Sequence, residues 1–162
     1  MATTRHACLA VVLMLVAAPA MAQGAAARPD VDLMSITALK CSFSVSAVGT
    51  WKGGEPAGQI RTGGTVAVEL IDVDASDGSA RLAGAGAAED IVLQASAWNL
   101  HFLEVARSGR LTMTTVFGQE TKEGRLKAVH TRTDYLKISM PGFESEPTAA
   151  QYYGECAPTR GK

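Results

Sequence analysis

From Leu39 to Cys156 the chain alternates apolar and polar residues in short runs whose period is two. That period puts successive side chains on opposite faces and marks strands with one buried and one wet side. The first run, Leu39 to Ala47 (LKCSFSVSA), ends where Trp51 to Pro56 (WKGGEP) interposes two glycines and a proline. Thr65 to Val73 (TVAVELIDV) follows, rich in β-branched residues, and after a turn at Asp72 to Gly78 the chain returns through Ser79 to Ala83. A Gly/Ala-rich link leads to Ile91 to Ala95 and then to Asn99 to Val105 (NLHFLEV). The Arg107-Ser108-Gly109-Arg110 segment predicts a tight hairpin into Leu111 to Phe117 (LTMTTVF). After a polar turn at Gly118 to Gly124 come Arg125 to Thr133, Leu136 to Ser139 and finally Ala149 to Cys156. Helical periodicity is confined to Asp32 to Ala38, where Leu33 and Ile36 predict one turn packed on an end of the sheet.

About eight short strands joined by near-neighbour turns predict an all-β antiparallel meander. Such a sheet either folds over as a sandwich or closes into a barrel, and closure removes exposed edges. At about eight strands a barrel interior is filled by side chains or holds one small ligand.

Residues 1–22 change the picture. Arg5, the unbroken apolar run Cys8 to Ala18 and the sequence Pro19-Ala20-Met21-Ala22 have the three zones of a secretory signal peptide, with cleavage expected after Ala22. The run is too short for the ~20 residues that cross hydrocarbon, so no membrane anchor is expected. Cys8 lies inside the apolar run rather than at its end, which argues against a lipoprotein. The chain therefore divides into a signal peptide (1–22), a leader with a short helical turn (23–38), one domain (39–157) and a tail (158–162), bound for the periplasm or the exterior. Removing Arg5 turns 15 basic and 16 acidic residues into 14 and 16, a balance that excludes nucleic acid or an anionic membrane as the main partner. Six acids lie between Glu69 and Asp90 and seven bases between Arg107 and Lys137, which reads first as ordinary solvated surface.

Without Cys8, two cysteines remain, Cys41 and Cys156, and an oxidising compartment makes a disulfide their first reading. In the chain-entropy account, closing a loop of over 100 residues stabilises by about 4–5 kcal/mol. A bond between the first and last strands makes them neighbours, which favours the barrel over the sandwich.

Candidate chemistry is sparse. Asp72, Asp74 and Asp77 before Gly78 echo a calcium loop, but the spacing and the missing distal acid favour a plain turn. In Arg125 to Thr133, His130 and Arg132 share a face with Leu126 and Ala128, which places them near a barrel mouth. His101 falls on the same face of its strand as Leu103 and Val105, with Glu104 on the other. Phe43, Phe102 and Phe117 read as core, while Trp51 and Trp98, near turns, read as plugs or as a lining of the mouth. His130, Arg132, His101 and Trp98 are thus the ligand-binding candidates. No catalytic residues, metal ligands or cofactor are expected, since no nucleophile elbow, HExxH or free thiol is present.

The stretches Phe102 to Val105, Thr114 to Phe117, Lys127 to Arg132 and Gln151 to Cys156 resemble small exported β-proteins of proteobacteria whose activity is uncharacterised. At the level of fold the architecture is similar to the calycin barrels, the lipocalins and avidins, and to periplasmic lysozyme inhibitors, although the inhibitors' signature motif is absent. Fold alone assigns no activity. The expectation is a monomeric, non-enzymatic binding module for a small or lipid-like ligand. The alternative is a protein–protein module, an inhibitor or envelope factor, acting through its turns and the Met140 to Pro147 loop.

Overall fold

Alternation gives eight strands: β1 (Leu39–Lys52), β2 (Glu55–Asp74), β3 (Ser79–Ala83), β4 (Glu89–Ala95), β5 (Asn99–Val105), β6 (Leu111–Glu120), β7 (Leu126–Asp134) and β8 (Thr148–Pro158). The computed structural model describes residues 31–84, 86–135 and 145–159. The expected signal peptide with its cleavage point at Ala22, the run from Leu136 to Ser139, the Met140 to Glu144 part of the late loop and residues 160–162 lie outside them. Each strand pairs antiparallel with its sequence neighbours, and β8 returns to β1, so the meander closes into a barrel.

The seam carries the disulfide. Cys41 and Cys156 are direct register partners on β1 and β8, joined through their sulfurs across a sequence separation of 115. One bond therefore links the first strand of the ring to the last.

Successive rows of inward side chains change character along the barrel axis. Leu39, Leu70 and Leu82 make one row, and Leu126, Cys156, Cys41 and Val68 the next. Leu100, Val116, Ala128, Gly154, Phe43 and Val66 follow. Beyond them the rows turn polar: Phe102, Thr114, His130 and Tyr152, then Glu104, Thr112, Arg132 and Ala150. The outer face carries Lys40, Glu69, Lys127 and Glu155, and this apolar-inside, charged-outside polarity is the reverse of a barrel that faces lipid.

The apolar end is sealed by the expected helical turn. Asp32 caps a 3-10 turn at Leu33–Ser35 by accepting the Met34 N–H at 3.1 Å, and Leu33 and Ile36 join the core cluster. Backbone bonds from Val73 N–H to Thr37 and from Thr159 N–H to Ala38 anchor the segment to β2 and to the end of β8.

The largest departure from expectation lies at the other end. β1 runs to Lys52 and β2 begins at Glu55, so WKGGEP is the tip of a long hairpin rather than a break. Gly53 and Gly54 take φ of 60° and 84°, which a two-residue hairpin turn demands. Pro56, Gly58 and Gly63 are tolerated because β3 pairs with β2 only from Glu69 to Asp74, leaving the remaining edge of β2 without a strand among the described residues.

The register of β1 shifts between Phe43 and Val45, which exchanges inside for outside along the strand. The strands crowd at this kink. A Cβ on Gly154 would run into the Ser42 carbonyl oxygen and come within 2.6 Å of the Phe43 Cα, so only glycine fits.

Candidate functional site

The polar rows open onto a cavity of about 240 Å³ at the end away from the helical turn. At ~30 Å³ per water that is room for about eight waters, below the usual 300–1,000 Å³ of a drug-sized ligand site. Leu39, Leu70, Leu100, Phe43, Val116 and Leu126 fill the deeper lumen and are each 1% exposed or less. The barrel is thus half filled, and a long lipid chain does not fit.

Two walls of different chemistry face each other. Val66, Val68, Leu82 and Ile91 from β2, β3 and β4 form an apolar wall, with Phe102 beneath. Opposite stand Glu104, Arg110, Thr112, Thr114, His130 and Arg132 from β5, β6, β7 and the turn at 106–110. That turn is shaped by Gly109 at φ 86°, and its N–H bonds to the Ala106 carbonyl at 2.9 Å.

Glu104 organises the polar wall. Its Oε2 accepts the Thr112 hydroxyl at 2.6 Å and its Oε1 accepts Arg110 Nη2 at 3.0 Å. Burial alone would raise the pKa of this carboxyl. The bonds from Thr112 and Arg110, with the nearby charges of Arg110 and His130, reverse that and hold it below the usual glutamate value. Arg110 is then only partly satisfied: its Nε is buried and has no hydrogen-bond partner. An orphaned buried donor typically costs about 1–3 kcal/mol.

His130 lies between Phe43 and Tyr152, with ring centroids 5.6 and 5.9 Å away. Its Nδ1 is 2.9 Å from Thr114 Oγ1, a bond whose donor depends on the tautomer. Burial pushes its pKa below the ordinary histidine value; Glu104 opposes this, and Arg132 and Arg110 reinforce it. Thr114 and His130 have the spacing of a nucleophile and its base, but Thr114 is 4% exposed and no carboxylate among the described residues hydrogen-bonds the ring. The pair fixes a ring; it does not make a triad. At the rim Arg132 donates to Asp134 at 2.6 Å.

Of the four sequence candidates, the structure brings His130 and Arg132 together in the mouth. His101 lies on the outer face, its Nδ1 3.0 Å from Thr115 Oγ1, because Leu100 and Phe102 take the inward positions of β5. Trp98, 45% exposed, sits in the β4–β5 turn at the sealed end. Trp51, 43% exposed, is near the hairpin tip, so neither tryptophan lines the mouth. Phe43 and Phe102 are core as expected, while Phe117 is only partly buried.

Glu104, Arg110, Thr112 and Thr114 were not among the binding candidates drawn from the sequence. The signal for Glu104 was its spacing of two from Phe102 and four from Leu100, the core face of β5. The chain turns within the Asp72 to Gly78 segment as read, although β2 runs to Asp74 and only Ala75 to Gly78 form the turn: Asp74 Oδ1 accepts from Ser76 N–H, Ser76 Oγ and Asp77 N–H at 2.6–3.0 Å. No cluster of three or more potential metal ligands occurs among the described residues.

No protein family, curated protein or solved structure matches this chain. The functional reading therefore rests on the barrel's own geometry. An open groove of about 560 Å³ also runs beside the hairpin, lined by residues such as Ala47, Val48, Ile60 and Ala149, but no ionisable side chain lines it. Of these two cavities, it is the mouth that combines an apolar wall with converging polar groups. Among the described residues no helix is long and apolar enough to cross a membrane.

Proposed function

We propose that the protein is an exported binding module whose barrel mouth receives one small molecule. The observation that carries this reading is the cavity of about 240 Å³ in which Glu104, Arg110, His130 and Arg132 stand opposite an apolar wall. Binding sites have this form: mostly apolar surface with a few placed polar groups. The filled lower lumen narrows the ligand from small or lipid-like to small.

The address rests on Arg5, the apolar run from Cys8 to Ala18 and the Ala20-Met21-Ala22 junction, and the Cys41–Cys156 disulfide fits an oxidising compartment. The alternative protein–protein reading leaned on the Met140 to Pro147 loop, most of which lies outside the described residues.

Native mass spectrometry of protein purified from periplasm tests the proposal. The expected species starts at Gln23, carries one disulfide and holds a small non-covalent adduct. An exported chain that carries no adduct, and acquires none from an extract of envelope small molecules, contradicts it.

A further inference from the structure

We propose that the mouth holds a small organic acid, its carboxylate received by Arg110 and Arg132 and its short apolar body lying against Val66, Val68, Leu82 and Ile91. The inference rests on the binding reading above and assigns the class of ligand.

Three observations carry it. The first is the division of the cavity into one apolar wall and one polar wall that carries two arginines, which suits a molecule with an apolar body and one charged end. The second is the state of the resident carboxylate. Both oxygens of Glu104 already accept a bond, one from Thr112 and one from Arg110, so its charge is engaged within the wall itself. The third is the donor capacity of the two arginines. Arg110 donates through Nη2 to Glu104 and Arg132 through Nη2 to Asp134. A guanidinium carries five N–H donors in a planar fork matched to carboxylate oxygens, so both side chains keep donors for an incoming acid.

Charge supports the same class. Among the charged side chains that line the cavity, Arg110 and Arg132 outnumber Glu104, since the Asp134 that pairs with Arg132 is not part of the lining. Size sets the other limit: room for about eight waters matches an acid of about that many non-hydrogen atoms.

Hexanoate, hexanol, hexylamine and inorganic phosphate, titrated separately into the mature disulfide-bonded protein by calorimetry at pH 7, test the assignment. Hexanoate is expected to bind at least about tenfold more tightly than hexanol, with no saturable heat from hexylamine or phosphate. Arg110→Lys keeps a cation beside Glu104 but removes the fork, and should weaken hexanoate about tenfold with hexanol unchanged. Arg132→Gln, at the exposed rim, supplies a second variant that should also lower the preference for hexanoate over hexanol. Equal affinity for hexanoate and hexanol overturns the acid assignment and leaves the binding pocket standing. Preference for hexylamine or phosphate overturns the assignment in favour of a different head group. Failure of every probe to bind overturns both the assignment and the pocket.

Discussion

Glu104 and Thr112 face each other across β5 and β6, and the 2.6 Å bond from the threonine hydroxyl to the carboxylate ties the polar wall of the mouth together. Glu104→Gln keeps the shape but weakens the bonds that Thr112 and Arg110 donate to a charge. A loss of about 1–3 kcal/mol in urea unfolding is expected. An unchanged midpoint would show that the charge on Glu104 is not structurally engaged.

Acid should weaken the fold in two stages. His130 has a folded pKa below its ordinary 6.5, so the unfolded chain takes up a proton first and stability falls as pH drops through 6.5 toward the folded value. Glu104 is likewise below its ordinary 4.5, so the stability it contributes is present above 4.5 and is lost as pH falls further. Melting temperatures between pH 7.5 and pH 3 should show both declines, and His130→Gln should flatten the first. A His130 ring that titrates by NMR at or above 6.5 would contradict the assignment of a buried neutral imidazole.

The disulfide should matter most to the unfolded chain. Cys41→Ser with Cys156→Ser opens a loop of 115 residues and should cost about 4–5 kcal/mol in guanidinium unfolding, if chain entropy dominates. Equal midpoints for the oxidised and doubly substituted proteins would show that β1–β8 pairing closes the barrel unaided.

Gly154→Ala is the smallest change that should disturb the closure. Its methyl meets the Ser42 carbonyl and the Phe43 Cα, and backbone cannot rotate away as a side chain can. Overpacking of this kind costs about 1–3 kcal/mol, readable as a lowered denaturation midpoint with the disulfide intact. Gly58, with open surroundings apart from the Val48 carbonyl at 3.7 Å, should tolerate alanine far better.

Much of the barrel was legible because a period of two assigns faces directly. Leu126 and Ala128 identified the core face of β7, and His130 and Arg132 followed onto the lumen. In β5 both faces carry apolar residues, Leu100 and Phe102 on one and Leu103 and Val105 on the other, so alternation did not say which was inside. Tertiary packing chose the first and put His101 outside. Trp98 was misplaced for a different reason. In a meander the turns alternate between ends, so the β4–β5 turn and the β5–β6 turn cannot both border one mouth. Arg110 belongs to a turn, where alternation assigns no face. The long hairpin was hidden by Pro56 and its glycines, which break a central strand but not an edge.

The central claim is that the mouth, rather than the outer face or the sealed end, receives the ligand. The most direct measurement follows the methyl resonances of Val66, Val68, Leu82 and Ile91, the rings of His130 and His101 and the Trp98 indole while hexanoate is added. Saturable shifts at the four methyls and at His130, with His101 and Trp98 unmoved, are the predicted result. Shifts centred on His101 or Trp98, or none at the methyls, would contradict it.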